Sequence, residues 1–413
     1  MPCAYDRIRT SLAYIIIASI GLNNESGLIN QPTFRILKFA QRKNTFSEMI
    51  DFRHMRAVGI DIAENAVAVA EIRQRFGAYT LRAANYISSS TPLVKDGLFI
   101  NLSELTKNLR LALDQASPQA IKIGGAHFSV PVSVVFTHVF SFPRELDAKA
   151  IHEGIEVQFS EYFPFDMESA AYDWKVVQES DQTQMVLVAA CDRQYVDQIV
   201  QLARSLQIEI AGIDIENIAC SRTVLPELNS IDTALLVDLG PRVTAISIFG
   251  QEGLQSTLVL EIGCDKLNKL IADKFSITYQ QADIFKHDLP TMDKTSQPYR
   301  DALELIYHHL HPVVEEIKRS IRFFEGSRKR SVESVIITGE GSRLGDIGEY
   351  LSKKIDHPVQ LAAPLQRLKP QQLVTEDLAT RHATAIGLAL GGADRRFEAN
   401  RYTINRYIDT SIL

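Results

Sequence analysis

Two separated stretches of the chain share one pattern: an apolar run that ends in aspartate, a short polar turn, and a second apolar run. The first stretch is residues 57–72, with Asp61 at the end of its first run, and the second is residues 235–248, with Asp238. Such runs predict strand–turn–strand hairpins. Because Asp is a common turn residue, two ordinary hairpins would give the same pattern. Taken together, the two stretches predict two similar subdomains that face each other across a cleft suited to a nucleoside triphosphate and its metal.

The pattern after the first hairpin predicts an α/β subdomain with an insertion. Residues 56–88 alternate as a three-stranded meander, residues 102–116 have helical spacing, and residues 124–130 resume as a strand. Three strands, a helix and a strand are how an RNase-H-like subdomain begins. Residues 134–212 then predict a compact α+β block inserted between two halves of a larger fold.

The second half of the chain repeats this order. A strand over 334–338 leads into Gly339-Glu340-Gly341 and a helix over 344–354, which would place free backbone N–H groups at a helix N-terminus, a seat for an anion or a ribose phosphate. Pro312 interrupts a helical stripe and is expected to kink or restart that helix. The remaining predicted elements are a strand over 254–262, a helix from Gly263, a strand over 358–361 and a helix over 379–390.

Composition limits the classes of function. The chain has 413 residues, 46% of them hydrophobic and 23% charged, which is typical of a globular protein with two to four subdomains. A net charge of −6 argues against nucleic acid as the main partner. The four cysteines show no metal-binding spacing and are expected to be reduced thiols in a cytoplasmic protein.

The two ends of the chain differ from its body. The apolar run Ser11–Leu22 is shorter than the ~18–20 residues that a membrane-spanning helix needs. Residues 1–54 are therefore expected to be a poorly ordered extension, with contact to a membrane surface as the alternative. Residues 393–413 are expected to be a peripheral tail.

Motifs exclude several enzyme classes. The chain has no GxxxxGK[ST] phosphate loop, and its glycines at 339, 341 and 345 do not fit the dinucleotide fingerprint. His308, His309 and His311 stand close together, but no carboxylate spacing completes a metal site, so a solvated helix face is expected.

The order of three loops resembles that of the actin-like ATPase superfamily: the Asp61 hairpin, the Asp238 hairpin, and Gly339-x-Gly341. Further segments resemble the type IV pilus assembly protein PilM family over about residues 56–392, and the block 143–174 is the most specific. These segments are PREL (143–146), FPF (163–165), YDW (172–174), VLVAA (186–190), IDIE (213–216), GCDKL (263–267), TGEGSRL (338–344) and ATAIGLAL (383–390).

The resemblance implies an α/β, actin-like ATPase fold in an FtsA-like arrangement, with two RNase-H-like lobes around a nucleotide cleft and a small inserted α+β subdomain. The implied bounds are 55–132 and 213–232 for the first lobe, 133–212 for the insertion and 233–392 for the second lobe. It also implies a cytoplasmic scaffold that the N-terminal tail of a PilN-like protein recruits to the inner membrane. That tail would dock between the first lobe and the insertion, linking the chain to PilO- and PilP-like proteins and the pilus motor. Self-association is left open.

The resemblance further implies a site for ATP and Mg²⁺. Asp61 and Asp238 would hold a hydrated Mg²⁺. The implied phosphate-binding residues are Glu64, Asn65, Gly240, Arg242 and Thr244, and the implied nucleoside-binding residues are Gly263, Lys266, Gly339, Gly341, Ser342 and Arg343.

The first loop departs from the family pattern. The family has a glycine, a serine-rich turn and a lysine where this chain has Ala63, Glu64-Asn65-Ala66 and Ala68. Loss of these donors, and the added charge of Glu64, predict weak or slow ATP turnover, or nucleotide binding only. Two alternatives stay open. An active ATPase or sugar-kinase-like phosphotransferase would need a carboxylate beside a sugar pocket, and an FtsA-like filament protein would need an amphipathic C-terminal helix, which residues 401–413 lack in clean form.

Overall fold

A computed structural model describes residues 54–89, 91–225, 233–250, 253–328, 330–366, 368–369 and 376–393. The expectations for the N-terminal extension up to residue 53 and for the tail from residue 394 lie outside this range. None of the helices in the described ranges has both the length and the apolar character needed to cross a bilayer.

The first lobe begins with the predicted meander. Residues His54–Ala63 and Ala66–Arg75 pair as antiparallel strands in unbroken register, which leaves Glu64-Asn65 as a two-residue turn. The elements up to the insertion are β1 (His54–Ala63), β2 (Ala66–Arg75), β3 (Ala78–Ser88), β4 (Val94–Lys95), β5 (Leu98–Phe99), α1 (Leu102–Asp114) and β6 (Gly125–Val130). Strand alternation sends Val58 and Ile60 to the face that Leu105 and Leu109 of α1 cover, so one apolar core lies between helix and sheet.

The insertion is a three-stranded antiparallel sheet with one helix on it. Its elements are β7 (Phe136–Pro143), α2 (Ala148–Tyr162), β8 (Ala170–Glu179) and β9 (Thr183–Asp192), and the strand order is β7-β9-β8. Ile155 and Phe159 of α2 pack on Val186 and Val188 of β9. The opposite face of β9 presents Leu187 to a different core, so the sheet is buried on both sides.

The end of the insertion differs from the sequence-based boundary at residue 212. The next elements, α3 (Arg193–Ser205) and β10 (Glu209–Ile215), belong to the first lobe, because β10 pairs in parallel with β6. Ile199 and Leu202 of α3 lie in the same core as Ile60. The inserted sheet therefore ends at Asp192.

The second lobe repeats the first. Its elements follow helix α4 (Glu216–Val224) and are β11 (Thr233–Leu239), β12 (Thr244–Gly250), β13 (Gly253–Leu260), α5 (Cys264–Phe275), α6 (Tyr279–Asp288), α7 (Gln297–Arg328), β14 (Ser334–Thr338), α8 (Ile347–Ile355) and β15 (Val359–Leu361). The strand order β13-β12-β11-β14-β15 matches β3-β2-β1-β6-β10 of the first lobe, with two antiparallel and two parallel pairings in the same places. The expectation of two similar subdomains is confirmed.

Two predicted helices differ from the observed ones. Helix α7 continues through Pro312, so the predicted restart is wrong. Proline removes a single backbone donor, and buried residues on both sides of it, such as Leu310, Val313 and Ile317, keep the helix packed. The helix predicted over 379–390 is two helices separated at His382. The last elements of the described chain are β16 (Leu368–Lys369), which pairs with β3, α9 (Glu376–Arg381) and α10 (Ala383–Ala393).

Helices α4 and α10 form a layer between the lobes. Helix α10 packs against β1 so closely that a Cβ on Gly59 would lie 2.0 Å from the Ala385 carbonyl oxygen, and a Cβ on Gly387 would lie 1.8 Å from that of Ala219. On the side of the second lobe, the Asn217 Nδ2 donates to the Ser247 Oγ at 2.9 Å. This layer fixes the ends of β1 and β11 on opposite sides of one cleft.

Candidate nucleotide and metal site

Asp61 and Asp238 occupy equivalent places in the two lobes, near the C-terminal ends of the central strands β1 and β11. The Ser129 hydroxyl on β6 donates to Asp61 Oδ1 at 2.7 Å. In the second lobe, Asp238 pairs in register with Thr338 on β14, the residue before Gly339. Each central strand thus ends with a carboxylate beside its parallel neighbour.

A third carboxylate, Glu216, joins this pair, and sequence reasoning assigned it no role. It is the first residue of α4, and the Val132 N–H donates to its Oε2 at 3.3 Å. Burial, together with the charges of Asp61 and Asp238, raises the pKa of Glu216 from 4.5 to about 8. The signal was present in the segment IDIE, whose last residue follows a strand and opens a helix.

The electrostatics of the cluster fit a divalent cation. Burial raises the pKa of Asp61 and of Asp238 to about 6, and the charge of Asp61 adds to the rise at Asp238. Within the described ranges, no lysine or arginine forms an ion pair with any of the three carboxylates. Oxygen donors with surplus negative charge are the set that Mg²⁺ prefers, so Asp61 and Asp238 are suited to hold it through its waters.

The second phosphate loop is held by its own backbone. The Gly240 N–H donates to the Val243 carbonyl at 3.0 Å, and the Thr244 hydroxyl donates to the Ile262 carbonyl at 2.6 Å. At the start of α5, the Cys264 and Asp265 N–H groups donate to the carbonyls of Gly240 and Pro241 at 3.1 and 2.8 Å. Several donors that a phosphate would use are therefore already bonded within the loop.

Gly263 and His309 fix the other side of this loop. A Cβ on Gly263 would lie 2.3 Å from the Pro241 carbonyl oxygen, so only glycine allows the approach. His309 lies 2.9 Å through Nε2 from the Gly263 carbonyl oxygen and is buried, which corrects the expectation that it belongs to a solvated helix face. Burial lowers the pKa of His309, so the ring is neutral and Nε2 carries the donated hydrogen.

The first phosphate loop is held by its neighbours. The Glu64 carbonyl accepts from the Leu93 and Val94 N–H groups at 2.6 and 3.1 Å, and the Asn65 carbonyl accepts from Ser89 at 2.7 Å. Ala63 is not among the non-glycine residues with positive φ, so this turn avoids the strain that the loss of glycine would otherwise bring. The backbone carbonyls of this loop are therefore fixed by the segment that follows β3.

One ion-pair set joins the two loops across the cleft. Arg242 of the second loop donates through Nη1 to Glu64 Oε1 at 2.7 Å and through Nη2 to Asp96 Oδ1 at 2.9 Å. Asp96 lies in the turn between β4 and β5, where Asp96 and Gly97 both have positive φ. The Asp-Gly pair was a hairpin signal in the sequence that went unused. We call this set the Glu64–Arg242–Asp96 bridge.

The third loop differs from its predicted form. Glu340–Arg343 is a 3₁₀ turn, and α8 begins only at Ile347, so Gly339 does not open that helix. The Ser342 N–H and hydroxyl both donate to the Gly339 carbonyl, at 3.2 and 2.7 Å. The predicted α-helix after Gly339 is therefore a 3₁₀ turn with Gly339 as its N-cap residue, and the Ser342 N–H is used within that turn.

Comparison with known proteins places the fold. A model of the type IV pilus assembly protein PilM family matches residues 59–397. The chain belongs to this family. It is also 20% identical over 394 residues to the cell division protein FtsA of Pseudomonas aeruginosa, covering 84% of this chain and 92% of that protein.

Two solved structures resemble the chain to different degrees. A PilM-PilN type IV pilus biogenesis complex superposes with a TM-score of 0.69 at 20% identity, over 82% of this chain and 98% of that one. The ethanolamine utilization protein EutJ from Carboxydothermus hydrogenoformans gives a TM-score of 0.48 at 14% identity, over 81% and 89%. The predicted fold class, an actin-like ATPase fold with two RNase-H-like lobes and an inserted α+β subdomain, is confirmed.

Within this PilM-family fold, the predicted site residues fall into three groups. Asp61 and Glu64 face Asp238 and Arg242 across the cleft, and a Cβ on Gly339 would lie 2.2 Å from Asp238 Oδ1. Gly240, Thr244, Gly263, Gly341 and Ser342 form the backbone of the second and third loops. Asn65 and Lys266 are exposed, and Arg343 is half-buried.

A buried lysine ties the third loop of the PilM-family cleft to α6, and sequence reasoning missed it. The Lys286 Nζ lies 2.5 Å from Glu340 Oε1 and 2.8 Å from Asp283 Oδ1, and its side chain is fully buried. The Asn268 Nδ2 on α5 donates to Asp283 Oδ1 at 3.1 Å. A basic residue on an amphipathic helix gave no sign of burial, because its partner Glu340 lies 54 residues away.

Proposed function

We propose that this PilM-family protein is a cytoplasmic scaffold of a type IV pilus machine that binds Mg²⁺–ATP between its lobes with slow or no turnover. The same protein docks the N-terminal tail of a PilN-like inner-membrane protein. The PilN-like protein in turn links it to PilO- and PilP-like proteins and the pilus motor. The observation that carries the nucleotide part is the cluster of Asp61, Asp238 and Glu216 at the cleft, with surplus negative charge and no paired cation in the described chain.

The cleft residues have distinct roles in this proposal. Asp61 and Asp238 hold Mg²⁺ through water, and Gly339 and Gly341 let the backbone approach the nucleoside. When bound, Mg²⁺ offsets the charge of the phosphate oxygens. The pKa of Glu216, about 8, keeps it mostly protonated at neutral pH, so it accepts a proton from water poorly. That supports binding with little turnover.

A second observation supports weak binding of the phosphates by side chains. Arg242 is engaged by Glu64 and Asp96, and it must leave one of them to contact a phosphate. The hydroxyls of Thr244 and Ser342 are bonded to backbone carbonyls. Nucleotide affinity is therefore expected to depend on Mg²⁺ more than on side-chain donors.

Titration with a fluorescent ATP analogue tests this part. Saturable binding is expected with Mg²⁺ and at least tenfold weaker binding without it. Asp238→Ala should abolish the Mg²⁺ effect, whereas Asp273→Ala, an exposed carboxylate on α5, should leave it unchanged. Absence of saturable binding, or an Asp238→Ala variant with unchanged affinity, would contradict the proposal.

The docking part is supported by the free edge of the inserted sheet. Strand β7 pairs only with β9 among the described strands, and it begins beside the first lobe, where Val134 lies close to Gly97. The Thr137 hydroxyl on β7 is buried and, within the described ranges, has no hydrogen-bond partner. An edge strand with half-buried apolar neighbours such as Phe136 and Val139 suits a short extended tail.

A labelled peptide with the N-terminal sequence of the PilN-like protein tests docking by fluorescence anisotropy. Ser141→Arg, at an exposed position of β7, should weaken binding about tenfold or more, because a long charged side chain beside the strand edge would hinder a paired tail. Val157→Arg on α2, at a residue 87% exposed, is the matched control and should bind normally. Equal affinity of both variants would mean that the tail binds another surface. No binding by the wild-type protein would mean that this peptide is not a partner.

A further inference from the structure

The end of the first lobe that points away from the cleft carries a concentrated positive charge. Arg56 on β1 pairs in register with Arg73 on β2, and Arg75 lies two residues further on the same face. Arg56 precedes Asp61 by five residues, so this face lies about 17 Å along the strand from the cleft. We call Arg56, Arg73, Arg75, Arg82 and Lys122 the basic hairpin face; all five are exposed.

Little negative charge offsets this face. Glu71 is its one acidic neighbour on β2, and it is buried and paired with Arg56 at 2.9 Å. Among the described residues, Arg73, Arg75, Arg82 and Lys122 form no ion pair. The face keeps about four positive charges in a protein whose net charge is −6.

The hairpin ends in an exposed aromatic ring. Phe76 and Gly77 form the turn between β2 and β3, both with positive φ, and Phe76 is 72% exposed. The Arg75 guanidinium lies 5.2 Å from the centroid of this ring. An aromatic ring flanked by arginines at a convex tip is the composition that favours the interface of a bilayer.

The two segments outside the described core join the chain at this same end. His54, where β1 begins, pairs in register with Arg75, and Gly392 near the end of α10 packs against Ala57 and His127. Residues 1–53 hold seven Lys and Arg against four Asp and Glu, and residues 394–413 hold four against three. These segments are therefore +3 and +1, while the remaining residues sum to −10.

We propose that the basic hairpin face binds the surface of a bilayer that contains anionic phospholipid, with Phe76 at the headgroup level. A flat anionic surface meets only the convex tip, whereas a nucleic acid long enough to gain affinity would also meet the negative remainder of the molecule. This contact would orient the first lobe on the membrane independently of the nucleotide and of the PilN-like tail.

Co-sedimentation of the full chain with vesicles tests the proposal without a partner protein. Binding is expected to vesicles of phosphatidylcholine with phosphatidylglycerol and not to phosphatidylcholine alone. It should fall when salt rises from 0.1 M to 1 M, because the screening length shortens from about 10 Å to about 3 Å. Arg73→Glu with Arg75→Glu should reduce partitioning about tenfold or more, and Phe76→Ser about threefold.

The matched control reverses the same number of charges elsewhere. Lys269→Glu with Lys354→Glu changes exposed lysines of the second lobe and should reduce partitioning less than about threefold. The melting temperature of each variant should match wild type, since none of these side chains forms an ion pair with another residue that the structure describes. Three results would overturn the proposal: no preference for anionic vesicles, equal losses in both double variants, or binding to duplex DNA in place of vesicles.

Discussion

The two phosphate loops occupy the same place in two copies of one topology, but different forces hold them. The second loop depends on close backbone approach, with Gly240 against Val243 and Gly263 against Pro241. The first is a two-residue turn between β1 and β2 whose carbonyls accept from Ser89 and from the segment before β4. The second loop therefore depends on glycine at these positions. The first has become a simple turn joined to its counterpart through Arg242.

The sharpest contrast between the loops is in their tolerance of a Cβ atom. Gly263→Ala in the second loop should lower the free energy of unfolding by about 3 kcal/mol, because the new Cβ would lie 2.3 Å from the Pro241 carbonyl oxygen. Ala63→Gly in the first loop should change it by less than about 1 kcal/mol. Urea denaturation of both variants measures the difference. Equal stabilities would show that the loops are not held differently.

The pH dependence of stability tests the carboxylates that the loops share. The folded-state pKa of Glu216 is raised from 4.5 to about 8, so its contribution to stability is full below pH 4.5 and is lost as pH rises through 8. Glu216→Gln should therefore gain stability relative to wild type between about pH 5 and about pH 8.5. The gain should be about 2 kcal/mol, less than the full shift, because water reaches the cleft.

Denaturation of both proteins at the two pH values measures this gain, and Glu333→Gln, an exposed carboxylate before β14, serves as the control. A constant difference between wild type and Glu216→Gln across this range would mean that Glu216 is not buried beside the two aspartates.

Glu64 is the first-loop residue that departs most from a phosphate-binding loop. Glu64→Ser should tighten ATP-analogue binding about tenfold, because it removes a carboxylate, restores a hydroxyl and releases one side of Arg242. Asp96→Ser should give a smaller gain, since the Asp96 side chain is 67% exposed and that of Glu64 only 25%. Equal gains in affinity would mean that the release of Arg242 accounts for the whole effect and that the charge of Glu64 itself does not matter.

The smallest effect concerns the bridge itself. Arg242→Gln should lower the free energy of unfolding by about 1 kcal/mol or less, because the Arg242 side chain is 41% exposed and water screens the pair. The difference should shrink in 1 M salt. A much larger loss in stability would mean that the bridge, and not α4 and α10, holds the lobes together.

Local patterns predicted most of the fold. Alternation and turn residues located the β1–β2–β3 meander and the β11–β12 hairpin, because both signals lie within a few residues of each other. Helix α4 was missed, since eight of its nine residues are buried and polar ones such as Asn217 and Arg222 are among them, so its sequence has no amphipathic period to detect. The end of the insertion was misplaced for a related reason: only the long-range pairing of β10 with β6 assigns it to the first lobe.

The parts of the candidate site that come from the repeated hairpin pattern were predictable. The parts that depend on contacts between residues distant in sequence were not. Asp61 and Asp238 stood out because the same pattern holds both. Glu216, Lys286 and His309 are defined by partners 46 to 155 residues away, such as Gly263 for His309, Glu340 for Lys286 and Asp61 for Glu216. The form of the third loop depended on whether Ser342 bonds to Gly339 or leaves its N–H free, a choice that spacing does not reveal.

The position of α10 has a consequence for biosynthesis. The sheet face that carries Ala57, Ala70 and Ile72 is covered by Ile386, Ala389 and Leu390, which are made more than 300 residues later. On the ribosome, the first lobe therefore has an uncovered apolar face for nearly the whole of translation, and it can close only when the last helix emerges. A chain cut short before Ala383 would display that face, so quality-control proteases and chaperones can distinguish truncated products from finished ones.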